Sequence, residues 1–527
     1  MSLNISRKKL GHASRRLLAA VIACLPSIPA VATPTSSSVA SSTASAASAS
    51  SSSTSRILHL LNRTSFGPKP GDIEAVRAEG IDGYLQQQLH PESIREADSV
   101  SSFIHSSDAF RLSAPQLFQD YGPFAENDAK KSAMQTTIVY DRRQRPKGRR
   151  SVQDSLVRDL MEAKLLRAVE SPRQLQEVMA DFWFNHFNIC YTKGLDKIWT
   201  AAYEEQAIRP YALGKFRDLV YATCHHPAML YYLDNWQNSA PGAKGAKGAQ
   251  SGLNENYARE LMELHTLGVD GGYTQKDVTE LARILTGLGI GKQDAKGMER
   301  GTGNGCIFDS SRHDFGTKTL LGHTIRGTGE SEIDEALAIL LRHPSTARHL
   351  SFQLAQYFVA DKPPASLVGK MAATWTQTDG DIKSVLTTMF KSPEFWNETY
   401  NDGKFKSPIR YVVSTLRAAD AKPGKYYFAT EFLKGQGMPL YSCLTPDGYK
   451  NTREAWVNPD TLLKRITFAT TIASGGIPEA SPYAIEYRRL GATLGNQFSA
   501  QTVKTIMKAP DILRSALILG SPEFMKY

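Results

Sequence analysis

Between Asn254 and Gly268 the sequence gathers groups able to move protons or hold a ligand: Asn254, Asn256, Arg259, Glu260, Glu263 and His265. Wound as a helix at about 100° per residue, Tyr257, Leu261 and Leu264 form a short apolar stripe. Asn256, Arg259, Glu260 and Glu263 flank it on one side, Asn254 and His265 on the other. So much polarity around so short a stripe predicts a helix inside the protein, facing a shared network or a site. Two carboxylates one turn apart can have their pKa values driven apart, one becoming an acid and the other a base. Glu260 and Glu263, however, would sit only about 5–6 Å apart at Cβ. Cleaving a sugar bond would need an opposing carboxylate, and Asp314 in the His313-Asp314 pair is the candidate.

The expected catalytic set is therefore Glu260, Glu263, His265, His186 and Asp314, with Asn254, Asn256, Arg259 and His313 as substrate-binding groups. Arg259 either positions an anionic group or neutralises Glu263 four residues on. The chemistry this supports is hydrolysis of a glycan or other polymer. A metal-assisted version would use His186, Glu260, His265 and either His313 or Asp314 as mixed nitrogen and oxygen ligands. Positions two apart diverge on a helix, so Glu263 and His265 form no chelate, and H-E-x-x-H is absent; cofactor use stays open, a divalent metal included. In the competing account the protein is a non-catalytic exported scaffold or binding protein, and the same groups form a buried network that fixes helix packing. No G-x-S-x-G elbow or P-loop occurs, and Gly287, Gly289 and Gly291 lack the strand-loop-helix setting of a dinucleotide site.

The elements that must position these residues are mostly helical. Phe182-Trp183-Phe184-Asn185-His186-Phe187 is too apolar to be exposed, so Asn185 and His186 need buried partners. His226, before Pro227, suits a helix cap better than a metal ligand. Ser239 to Gly252 is a Gly-, Ala- and Lys-rich loop, either a lid or a tolerated insertion. Thr274 and Asp277 have the spacing of a reciprocal helix cap. Cys306 to Asp309 and Lys318 to Ile325 are the strand candidates, expected to form a small hairpin. From Glu330 onward the pattern is helical, with Ser392-Pro393-Glu394-Phe395 and Ser521-Pro522-Glu523-Phe524 as two related helix-end caps. The fold class is mainly α: a multi-helix globular array with one small β-hairpin near residues 306–326.

At the N-terminus, Arg7, Lys8, Lys9, Arg15 and Arg16 precede the apolar run Leu17 to Leu25 and the small-residue site Ala30-Val31-Ala32. This predicts a signal peptide over 1–32 and an exported protein, periplasmic or extracellular. Cys24 offers lipoprotein anchoring as an alternative. Residues 33–55, almost all Ser, Ala and Thr, read as a flexible linker, and 56–527 as a single mostly helical domain in one lobe or two. Export leaves Cys190, Cys224, Cys306 and Cys443, which predict either two disulfides, with Cys190–Cys224 the favoured pair, or four buried thiols. The net charge of +10 lies partly in the leader and partly in the basic loop Arg142 to Arg150, a patch for a polyanion or a solvated loop. A polymeric or anionic substrate fits this balance. There is no nucleic-acid motif and no apolar run long enough to span a membrane. Oligomeric state is open.

Several segments together resemble the signature blocks of an exported bacterial family catalogued as domain of unknown function 1800. They are Leu60 to Gly67, Phe182 to Phe187, His226 to Met229, Asn254 to Gly268, Gly272 to Val278, His313 to Lys318 and the terminal Ser-Pro-Glu-Phe. The resemblance covers essentially Arg56 to Tyr527 and implies an exported, mostly helical single unit, with no reaction attached.

Overall fold

The computed structural model describes residues 43–123, 152–243, 252–294, 297–298, 301, 303–401, 403–476 and 484–527. The leader, the basic loop at 142–150 and most of the Gly- and Lys-rich loop lie outside the described residues. Helices dominate, and a contiguous cluster of buried apolar side chains runs from Ile57 to Met525. No helix among the described residues is long and apolar enough to cross a membrane.

The first helix runs Thr43–Thr64, so backbone expected to be linker up to Ser55 is helical from Thr43. Alanine and serine extend a helix readily once its far end is anchored, and here Ile57, Leu58, Leu60 and Leu61 are buried. Behind it, the helices Val152–Glu170 and Gln174–His186 and the segment Asp196–Ile208 bury an ionic network. Arg209 binds Glu177, Lys164 lies 3.0 Å from Asp181 and 3.8 Å from Glu204, and the Tyr441 hydroxyl donates to Glu204 at 2.5 Å. Charges taken from water are tolerable only when paired this closely.

Strand pairing departs from the sequence expectation. Lys318–Leu320 and His323–Ile325 form a hairpin by themselves, while Cys306–Phe308 pairs with Leu288–Ile290. The glycine-marked stretch expected to be loop is therefore a short strand. Gly289 suits it because a Cβ there would lie 2.7 Å from the Arg312 guanidinium and 3.5 Å from the Trp236 backbone. Gln293–Asp294 and Gly297–Met298 make a third two-stranded pair. The related end caps form as expected: the Ser392 hydroxyl accepts from Phe395 N at 3.2 Å and Ser521 from Phe524 N at 3.1 Å. Thr274 and Asp277 make the reciprocal cap, and the His226 ring accepts from Ala228 N. All four described cysteines are free and buried, so of the two expectations it is the four buried thiols, not the two disulfides, that the structure shows.

Candidate functional site

The polar helix is shorter than its sequence pattern. It spans Asn256–Glu263, eight residues, after which the chain tightens into turns with His265 N donating back to Glu260 O at 3.0 Å. Tyr257, Ala258, Leu261 and Met262 bury one face, and Glu260 and Glu263 emerge from the other into a cavity of about 550 Å³. The Gln174–His186 helix supplies a second wall through Phe182, Asn185 and His186, and the Pro344–Phe358 helix a third through Gln353 and Tyr357. The loop after Gly435 closes the cavity, bringing Asp447, Tyr449 and Lys450.

That loop is held by a side chain acting as backbone. The Asn185 amide donates to Tyr449 O at 2.9 Å and its carbonyl accepts from Tyr449 N at 2.7 Å. Asn188 donates to Cys443 O at 3.1 Å and Thr445 O at 2.9 Å. At the closest approach stands Gly448, with φ of +67° and a hypothetical Cβ 2.3 Å from Asn185 O. Only glycine fits there.

The result brings Asp447 to the same cavity as Glu260. The Glu260 carboxyl makes no hydrogen bond or ion pair among the described residues. Burial raises its pKa first, the neighbouring Glu263 next, and the Asp447 charge adds to both against the opposing pull of Arg259. Burial also works to raise Asp447, but hydrogen bonds from Lys450, at 2.6 Å, and Thr445 outweigh it and hold the carboxyl below its ordinary value. Glu263 accepts from the Tyr273 hydroxyl at 3.1 Å. The two carboxyl pKa values are thereby driven apart, Glu260 upward and Asp447 downward, on elements far apart in sequence.

Of the other residues singled out by sequence, His186 lines the cavity, whereas His265, Asp314, His313, Asn254, Asn256 and Arg259 are not among its walls. His186 pairs its Nε2 with His265 O at 3.2 Å, and burial pushes its pKa down to about 3. His265 is depressed further by the same burial and by His186, and its buried Nε2 has no hydrogen-bond partner. Both rings are neutral near pH 7. Asp314 does not oppose Glu260: Arg283 holds it at 2.8 and 3.2 Å. His313 is sealed with Glu332 at 2.9 Å, and Lys318 bonds the same carboxylate at 2.5 Å. Asn254 and Asn256 fasten the helix start to Asp234 O and Leu233 O, at 3.3 and 3.1 Å. Arg259 neutralises Glu255, at 3.2 Å, rather than Glu263. The mixed ligand set expected for a metal is thus not assembled, and no group of three or more His, Cys, Asp or Glu among the described residues could hold an ion.

Asp447 is the residue that sequence reasoning missed. Its signal was indirect: an Asp-Gly turn within a Gly- and Pro-punctuated loop, and a buried Asn185 in need of partners.

The model of a family described as "Protein of unknown function (DUF1800)" matches residues 59–526. The chain belongs to that family. The matched span takes in every lining residue of the cavity, Glu260 and Asp447 included. No curated protein and no solved structure matches the chain.

Proposed function

We propose that this DUF1800 chain is an extracytoplasmic hydrolase acting on a glycan or a related polymer, with the 550 Å³ cavity as its active site. The observation that carries the proposal is one cavity lined by an unbonded Glu260, whose carboxyl pKa is raised by burial and by Glu263, and by Asp447, whose carboxyl is held below its ordinary value by Lys450 and Thr445. Protonated Glu260 gives its proton to the leaving oxygen as the bond to the anomeric carbon breaks. Asp447 takes a proton from the attacking water, or attacks that carbon itself. The Glu263 charge raises the Glu260 pKa, and Asn185 with Gly448 positions the loop that carries Asp447. The basic and apolar leader supports the placement outside the cytoplasm.

The test is reducing-end release from a panel of soluble β-glucans, chitin oligomers and peptidoglycan fragments. Glu260→Gln and Asp447→Asn should each lower kcat by roughly 10²–10⁴-fold, the worth of positioned proton transfer, while near-UV circular dichroism stays unchanged. Turnover that survives both substitutions overturns the assignment of these carboxyls. Tight binding of a panel member without cleavage would instead leave a non-catalytic exported binding protein, the alternative in which the same polar groups serve structure rather than chemistry.

A further inference from the structure

The helices Ala500–Lys508 and Asp511–Leu519 leave an apolar stripe in solvent. On the first of them Thr502 and Ile506 are buried, while Val503 and Met507, one turn apart, are 43% and 54% exposed. Ile512, in the first turn of the second, is 69% exposed. Ten large apolar side chains among the described residues are exposed, and three of them fall between positions 503 and 512. Scattered singly such residues need no explanation, but grouped they mark a contact surface.

The charges around the stripe bear on what covers it. Lys504 and Lys508 follow Val503 and Met507 in sequence, so they line the neighbouring edge of the same helix. Both are exposed, and neither makes an ion pair or side-chain hydrogen bond among the described residues. Arg514 ties a third element to this edge. Its guanidinium donates to Ala509 O at 3.1 Å, Met507 O at 3.3 Å and the Tyr487 hydroxyl at 2.9 Å. Arg488 lies over the same tyrosine ring, 5.2 Å from its centre. The acids nearby are engaged: Asp511 pairs with Arg514 at 2.7 Å, Glu486 caps its own helix, and Glu523 bonds the buried Thr502 on the inner side. Cations are thus in excess beside the apolar stripe, and two of them have no counter-charge.

A purely ionic partner would answer the lysines and leave Val503, Met507 and Ile512 in water. A neutral apolar partner would cover the stripe and leave the lysines unpaired. An anionic bilayer surface answers both, because its hydrocarbon boundary takes apolar side chains, its phosphates take cations, and its headgroup level suits a tyrosine. We infer that this face docks on an anionic phospholipid surface. Val503, Met507 and Ile512 enter the boundary of headgroups and hydrocarbon, and Lys504 and Lys508 lay their stems along it with the ammonium groups at the phosphates. The attachment is peripheral, and it stands whether or not Glu260 and Asp447 catalyse.

The experiment places one reporter on the full chain. The described native cysteines are buried, so Ile512→Cys can be labelled selectively with a polarity-sensitive dye. The labelled protein is titrated with vesicles of phosphatidylcholine alone, or of phosphatidylcholine mixed equally with phosphatidylglycerol. A blue shift is expected with the mixed vesicles and little with the neutral ones. The same dye on Phe315→Cys, a position 54% exposed, should not shift. Because the signal is local, the apolar leader cannot imitate it by anchoring the chain. Lys504→Gln and Lys508→Gln should each raise the lipid midpoint about fivefold, the worth of one lysine at an anionic surface, and added salt should raise it further. Near-UV circular dichroism should stay unchanged in both. An equal shift with neutral vesicles or at the Phe315 position, or lysine variants that bind as tightly as wild type, overturns the inference. So does the absence of any shift at position 512, which would leave the face to a protein partner.

Discussion

Replacing Gly448 by alanine tests whether the Asn185 clamp builds the site. At φ of +67° a residue with a Cβ costs about 1–2 kcal/mol. The new methyl would also lie 2.3 Å from Asn185 O, a distance no carbon tolerates, so the loop must retreat. Retreat breaks the two Asn185–Tyr449 hydrogen bonds at 2.9 and 2.7 Å, worth about 1 kcal/mol each net. The sum, roughly 3–4 kcal/mol, corresponds to a rise of about 10²–10³ in the opening of this segment. Hydrogen exchange read by mass spectrometry should show it at the Tyr449 amide, which the clamp protects. Gly435→Ala is the control, because a Cβ there meets nothing within 4 Å and the residue ends a helix. Unchanged protection of Tyr449 in Gly448→Ala, or equal loss in the control, would refute the clamp.

Activity should follow a bell-shaped pH profile, its acid limb set by Asp447 below the ordinary 3.8 and its alkaline limb by Glu260 above the ordinary 4.5; an alkaline limb that persists in Glu260→Gln would contradict the assignment. Because the raised pKa of Glu260 means that its charge opposes folding at neutral pH, Glu260→Gln should be as stable as wild type or better by a fraction of a kcal/mol after solvent screening, as read by denaturant midpoint. His59, His186 and His226 are each held down to about 3, chiefly by burial. Their folded pKa values lie below 6.5, so the stability they confer is present above that pH and lost as pH falls toward 3. Near pH 5 each contributes a slope of about 1.4 kcal/mol per pH unit, and urea midpoints that are flat from pH 7 to 5 would count against this. Native protein should resist thiol alkylation, since burial raises Cys224 to about 12 and Cys306 above its ordinary range as well. Denatured without reductant, it should take up label at Cys190, Cys224, Cys306 and Cys443, and missing label would reveal a disulfide.

The helical character was readable because periodicity and cap chemistry are local. Thr274 with Asp277, and the paired Ser-Pro-Glu-Phe ends, form as their spacing predicts. The need of Asn185 and His186 for buried partners was readable too, from the apolar residues around them. What those partners would be was not. Asn185 reaches Tyr449, 264 positions away in sequence, and nothing local to either residue encodes that meeting. The same limit explains Asp314: a carboxylate beside a histidine on a loop looked free, but Arg283, 31 residues earlier, claims it. The small hairpin within 306–326 forms, from Lys318–Leu320 and His323–Ile325, but Cys306–Phe308 pairs instead with Leu288–Ile290, a short strand whose glycine gave no local sign of it.

The Asn185–Tyr449 clamp also bears on when the molecule acquires its chemistry. During synthesis Glu260 and Glu263 leave the ribosome long before Asp447 exists, and Asp447 can be seated only after its loop has travelled back to a helix completed in the first half of the chain. A chain that stops short of this loop carries two adjacent acids without Asp447, so under the proposed function it would lack one of the two carboxyls that the chemistry uses.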